Sequence, residues 1–363
     1  MQQFVLVLKK CAGLSSRRFI AFALISTWIF LSAACHPQPD RQHRDITRAI
    51  YSWKSTWQPG NFEKQRLDSL HVNDIYLKYF DVDWDPVARQ PLPVALIRFK
   101  EKPLYHITPV VFITNECLQQ TDSSDIKKLA ERIALLIVNI NKENVISPFE
   151  EIQIDCDWSA RTRDKYFQLL RNIKMNNGVL PADLLLSCTI RMHQVKYKDN
   201  AGIPPVDRGL LMCYNMGNLK NIGSSNSIID KDEFKKYIGN LSSYPLDLDV
   251  ALPIFDWKVS FRAGKYHGIT EEFPDSLLNL PVFSRSGNRY AVLRDTLLNG
   301  YDLRKGDVLR YENSDLQQVT GVAHELSRHL KNTRCKVALY HLDAVLLNKY
   351  SLHELESIYN GLR

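Results

Sequence analysis

Several features are missing from this 363-residue chain, and each absence narrows what it can be. No CxxC pair occurs, and the cysteines show no regular spacing, so neither a structural zinc site nor a disulfide framework is implied. No glycine-rich phosphate loop follows the first strand-like run, which argues against a dinucleotide- or nucleotide-binding sheet and gives no reason to expect a cofactor. Internal repeats and low-complexity tracts are absent, which excludes solenoids and disordered arrays. Lys and Arg are interspersed with Asp and Glu, leaving no basic stripe of the kind that nucleic-acid binding requires. No acid precedes Asp40.

That last absence defines the N-terminus. Lys9, Lys10, Arg17 and Arg18 form a positive flank, and Phe19 to Leu31 is apolar apart from Ser26 and Thr27. Small residues then lead into Cys35. This order marks a cleavable export signal over 1–34. A cysteine placed just after the small residues resembles a bacterial lipobox, although Ser32 stands where that pattern prefers Leu. The resemblance implies that Cys35 is lipidated and becomes the new N-terminus, with 35–47 as a tether. It further implies the bacterial cell envelope, at the outer membrane or cell surface, with the membrane as a partner through the lipid. Four positive charges of the formal +7 lie in the signal, so the remainder is near +3.

Strand-like and helix-like runs alternate beyond residue 48. The strand expectations are Ala49 to Trp57, Ile75 to Val82, Pro109 to Thr114, Ile152 to Trp158, Leu184 to Ile190, Gly209 to Tyr214, Leu248 to Phe255 and Val337 to Asp343. Helices are expected at Ser124 to Asn141, Arg163 to Met175, Leu316 to Leu330 and Ser351 to Tyr359. Eight such β/α units imply an α/β fold, a (β/α)8 TIM barrel, read here as a monomer. Its first seven strands occupy 48–257 and its completion 316–363. Between them, 258–315 carries short alternating runs with Gly-rich turns, and reads as a small β-rich insertion after strand 7. It is expected to form a flap over the barrel mouth.

The segment Glu150 to Trp158 carries the chemistry. Strand side chains alternate faces. Ile152, Ile154 and Cys156 therefore meet the outer helices, while Gln153, Asp155 and Asp157 climb inward toward the C-terminal mouth, where barrel active sites lie. Two close carboxylates repel when both are ionised, so one holds its proton more tightly, as glycosidic-bond chemistry needs. The competing reading is structural: Arg191 on the fifth strand pairs with an acid and keeps it inert.

This segment resembles the fourth-strand DxxDxDxE signature of chitinase-like family 18 glycoside hydrolases. In one register Asp157 takes the position of the acid; in the other, Ser159 does. Leu211 to Asn215 resembles that superfamily's sixth strand, with Asn215 in place of an Asp, and Ala251 to Phe255 resembles its seventh. Tyr51 to Trp57, taken together with Gln153 to Asp157, resembles the bacterial family called domain of unknown function 3142. The resemblance implies a barrel that binds a complex glycan. Asp157 would donate the proton, Asp155 would tune and stabilise, and Tyr214 would hold the substrate's acyl oxygen. Trp53, Trp158 and Trp257 would stack on sugar rings, and Glu116 and Asn215 would bind hydroxyls. Two functions stay open: a surface-anchored glycoside hydrolase, or a glycan-binding lipoprotein that lost the acid. A third is an envelope scaffold with its aromatics buried. His193, His341 and Asp343 lie near strand ends, but no ligand spacing makes a metal site of them.

The lipid anchor has a direct test. Cys35→Ala should abolish both signal cleavage and incorporation of a radiolabelled fatty acid, and unchanged labelling of that variant would remove the anchor.

Overall fold

The computed structural model describes residues 44–175, 178–270 and 273–363. The signal, Cys35 and most of the tether lie outside these residues. Eight parallel strands close a barrel: β1 (Asp45–Ser52), β2 (Asp74–Asp85), β3 (His106–Ile113), β4 (Glu151–Asp155), β5 (Leu185–Arg191), β6 (Arg208–Met212), β7 (Asp247–Pro253) and β8 (Arg334–Tyr340). Each strand pairs with its neighbours in sequence order. Closure comes from β1, which pairs with β8 on one side and with β2 on the other. This is the (β/α)8 TIM barrel.

The surrounding helices form because their apolar residues recur at helical spacing. In α2 (Ile126–Glu143), Ile126, Leu129, Ala130, Ile133, Ile137 and Ile140 are buried as one stripe. In α3 (Arg163–Lys174) the stripe is Tyr166, Phe167, Leu169, Leu170 and Ile173. The carboxylate of Asp315 caps α4 (Leu316–His329) by accepting from the Gln318 N–H. Ser351 and Glu354 form a capping box on α5 (Leu352–Asn360). A shorter helix, α1 (Asn61–Ser69), follows β1.

Three strand ends stop well short of the sequence expectation, while β2 runs past it to Asp85. Ala49 to Trp57 is not one strand: β1 stops at Ser52, and Thr56–Trp57 pairs separately with Arg98–Phe99. The fourth strand stops at Asp155, and the eighth ends at Tyr340 instead of reaching Asp343. Asp343 instead caps the next helix, accepting from the N–H groups of Val345 and Leu346. Apolar residues at these ends turn out of the barrel to pack, which periodicity alone cannot distinguish from continued strand. Two short strands outside the insertion were not foreseen: Arg98–Phe99, and Gln90–Val94, which folds back antiparallel onto the extended end of β2.

After β7 comes a five-stranded antiparallel sheet, in the order Lys265–Thr270, Asp256–Arg262, Val308–Asn313, Arg289–Val292, Phe283–Ser286, with a small hairpin of Thr296–Leu298 and Tyr301–Leu303. Its first strand starts at Asp256, slightly before the expected boundary. Phe273, Leu278, Val282, Phe283, Tyr290 and Leu309 give it a small core of its own. It docks on the loop that leaves the C-terminal end of β6. The Arg310 guanidinium donates to the carbonyls of Asn221 and Leu219, and Asn288 donates to that of Ser225. The sheet therefore sits at the C-terminal end of the barrel.

At the seam, Arg310 pairs with Glu312, and neither side chain is exposed. The other oxygen of Glu312 accepts from the Trp257 indole N–H at 2.8 Å and from the Ser227 N–H at 2.9 Å. Removing one partner of a buried pair leaves an uncompensated charge, which typically costs about 3–5 kcal/mol. Arg310→Met should lower stability by that order in urea melts. An unchanged midpoint would mean the seam does not rest on this pair.

Candidate active site

Strand alternation places Glu151, Gln153 and Asp155 inside the barrel, and each meets a partner on another strand. At the closed N-terminal end, Glu151 accepts from Ser187 and pairs with Lys336 at 2.9 Å. Lys336 also lies 3.6 Å from Asp74. Beside them, Arg208 grips Asp249 through two nitrogens, at 2.8 and 3.0 Å. One layer higher, Gln153 is fully buried; its amide oxygen accepts from the Tyr51 hydroxyl, and its nitrogen donates to Ser187 at 3.4 Å. Tyr51 stacks on Tyr76 with centroids 5.4 Å apart. On the opposite face, the backbone carbonyl of Ile154 accepts from the Tyr166 hydroxyl of α3 at 3.0 Å, and Cys156 is buried.

Asp155 tops this ladder. It is 8% exposed and accepts from the Thr189 hydroxyl of β5. Burial, with the neighbouring Asp157 and Asp81 carboxylates adding to it, raises its proton affinity to about 6, against the opposing pull of Thr189 and Arg191. Asp157 lies just beyond the strand, with its side chain 47% exposed. The Arg191 guanidinium clamps both of its oxygens through two nitrogens. Arg191 ends β5 and begins the short helix Met192–Lys196, where its backbone N–H donates to Gln194 at 2.8 Å.

Aromatic rings surround the mouth. Trp53 is half-buried, 5.9 Å from Phe112 and 6.2 Å from Tyr340. The Lys78 ammonium lies 5.1 Å from the Trp53 ring and 3.0 Å from Asp81. The other oxygen of Asp81 is buried without a hydrogen-bond partner among the described residues. Tyr214 is buried, its ring 5.2 Å from Tyr340 and 5.8 Å from Phe255. A shallow pocket opens beside Arg191, lined by His193, Tyr214, Asn215 and Tyr237. Asn215 is exposed and left-handed at φ +55°, a conformation Asn tolerates.

Several sequence expectations need correction. The expected pair of solvent-reachable aspartates is split, since Asp155 is buried and Asp157 carries the Arg191 clamp. The expected donor has both oxygens engaged by the Arg191 guanidinium fork, and the raised proton affinity belongs to Asp155. Ser159, the alternative acid position, is tied into a local turn with Thr162. Trp158 offers no ring face: it is 3% exposed, stacks on Tyr166 at 5.1 Å, and donates to the Ala201 carbonyl. Trp257 is buried in the inserted sheet, with its indole N–H committed to Glu312. Glu116 is exposed on the short helix Asn115–Gln120 that follows β3. Burial pushes His341 down to about 4 and lowers His193 as well. Among the described residues, no group of three or more His, Cys, Asp or Glu is arranged to hold a metal ion.

Four site residues escaped the sequence reading: Thr189, Lys78, Asp81 and Tyr340. Thr189 was findable, since Ser187, Thr189 and Arg191 alternate on β5 with Arg191 already suspected. Lys78 was not, because a register shift between Lys78 and Phe80 breaks the alternation of β2.

Solved structures share this architecture. The spore cortex-lytic enzyme SleL of Bacillus cereus matches 87% of this chain and 75% of its own, with TM-score 0.50 and 14% identity. A chitinase from Chromobacterium violaceum matches 88% of this chain and 99% of its own, with TM-score 0.50 and 10% identity. The C-terminal domain of a protein assigned as a chitinase from Desulfitobacterium hafniense matches 88% and 100%, with TM-score 0.53 and 11% identity. Identities this low establish the fold alone, a (β/α)8 barrel shared with these proteins. No family model and no curated protein matches the chain. The likeness to domain of unknown function 3142 therefore rests only on the residues that carry it.

The raised proton affinity of Asp155 sets a pH dependence. The folded state holds this proton up to about pH 6, whereas an unfolded Asp releases it near its ordinary value of 3.8. The stabilisation is complete below about 4 and lost as pH rises through 6. At about 1.4 kcal/mol per unit, the swing is roughly 3 kcal/mol. Asp155→Asn should flatten this part of the stability–pH curve between pH 4 and 7. A variant curve parallel to the parent's would place the titration elsewhere.

Proposed function

We propose that this protein is an envelope-anchored, glycan-binding lipoprotein that uses a chitinase-like barrel without hydrolysing its ligand. The observation that carries this reading is the Arg191 fork on Asp157. Both oxygens of the side chain at the acid position are taken up by that fork, and general acid catalysis requires one of them to hand a proton to the leaving group. Binding has support of its own. Trp53 is a partly open aromatic at the mouth, with Lys78 and Asp81 beside it. The unpartnered Asp81 oxygen is the kind of buried acceptor that a sugar hydroxyl would satisfy. Sugar rings present apolar faces to such aromatics and hydroxyls to such acids. The lipid anchor at Cys35 rests on the sequence alone.

A second reading is hydrolysis, and one observation favours it. Asp155 retains a proton to about pH 6, close to the range a working general acid needs. In that case Asp155 is the acid, Arg191–Asp157 positions substrate, and Tyr214 borders the site.

Full-length protein screened against a glycan panel separates the two. Under the binding reading, at least one glycan binds saturably, Trp53→Ala weakens it about tenfold or more, and no reducing ends appear for the parent or for Asp157→Asn. Release of reducing ends by the parent, falling by ~10²–10⁴-fold in Asp155→Asn, would replace it with hydrolysis. Absence of any glycan binding would leave a scaffold.

A further inference from the structure

A second concavity lies at the same end of the barrel, away from the Arg191 pocket. The extended end of β2, the turn after it and the antiparallel return strand supply Trp84, Arg89 and Gln90; the first turns of α2 supply Lys128 and Arg132. Both segments leave the C-terminal ends of their strands. Their bases are joined where the Thr114 hydroxyl donates to Asp83, next to Trp84, at 2.8 Å.

Two independent features mark this place. Trp84 is half-buried, so part of its ring remains open to the concavity it lines. Arg89, Lys128 and Arg132 form no ion pair and no hydrogen bond among the described residues, although Asp122 and Asp125 share the rim. Lys128 and Arg132 are four apart on α2 and so lie on one face. Arg304 on Asp295 and Asp302, and Lys64 on Glu101, show the alternative in which a surface cation is taken up by neighbouring acids. Three cations left unpaired around one aromatic, with acceptors nearby, have the donor set for an anionic group and the surface for a sugar ring.

We propose that this concavity is a second saccharide subsite, specific for a sugar residue that carries a carboxylate or sulfate. The ring stacks on Trp84, the anionic group sits among Arg89, Lys128 and Arg132, and Asp122 and Asp125 accept from ring hydroxyls. The proposal rests on the glycan-binding reading above and extends it from the mouth to an acidic branch or neighbouring unit of the same ligand.

Calorimetry on the full-length protein tests it, with oligogalacturonate, hyaluronate and heparin fragments as anionic probes and chitooligosaccharides as the uncharged one. At least one anionic probe should bind. Arg89→Ala/Lys128→Ala/Arg132→Ala should weaken it by about tenfold or more, and Trp84→Ala should do so as well. The triple charge variant should leave the melting temperature and any chitooligosaccharide affinity unchanged. Failure of every anionic probe to bind overturns the subsite. So does anionic binding that survives the triple variant, or that ignores Trp84→Ala, since the latter is charge attraction without a sugar site. Anionic binding that depends on these four residues, in a protein that Trp53→Ala does not affect, upholds the subsite and removes the mouth as the primary site.

Discussion

In a closed barrel, every inward-facing polar group on β4 must find its partner on another strand, because water is excluded and an unpaired buried charge costs several kcal/mol. Here that row is long. Glu151 needs Lys336 and Ser187, Gln153 needs Tyr51 and Ser187, Asp155 needs Thr189, and Asp157 takes Arg191. These contacts tie β4 to β5 at every level and reach across the lumen to β1 and β8. The polar ladder thus fixes which side chains can be reactive. Of the three carboxylates in this row, Glu151 and Asp157 are held in ion pairs, whereas Asp155 is held by a neutral hydroxyl.

That contrast accounts for the chemistry of the mouth. A hydroxyl donor stabilises the Asp155 anion less than a guanidinium would, so burial dominates and the proton is retained. Two residues further, Asp157 is half-exposed and gripped by the Arg191 fork. Two carboxylates of the same type and the same strand parity have diverged because their neighbours on β5 differ, Thr at one level and Arg at the next. The inserted sheet completes the setting. Its buried Arg310–Glu312 pair holds Trp257 and the loop after β6 together, and that loop begins next to Tyr214.

Much of this was legible in the residues. Period-2 runs separated by amphipathic helices gave the eight units and their order, and parity on β4 sorted Ile154 and Cys156 from Gln153 and Asp155. The Arg191 partnership could be named as a rival reading because a basic residue ended the next strand. Local pattern failed at strand ends. Trp158 and Trp257 follow the last apolar residues of β4 and β7, where exposed stacking and burial look identical in sequence. Burial won at both, since α3 offered Trp158 the Tyr166 ring and the insertion offered Trp257 a carboxylate acceptor.

The sequence by itself determined the barrel, the inward row of acids and the presence of an insertion after the seventh strand, because these follow from periodicities of two and 3.6 that are local properties of the chain. Only the tertiary structure decided which acid keeps its proton, which tryptophan keeps an open face, and where the hairpin of β2 meets α2 to leave three cations without partners among the described residues. Those outcomes depend on distances between residues tens to hundreds of positions apart, and on the loss of water between them, neither of which any local pattern encodes.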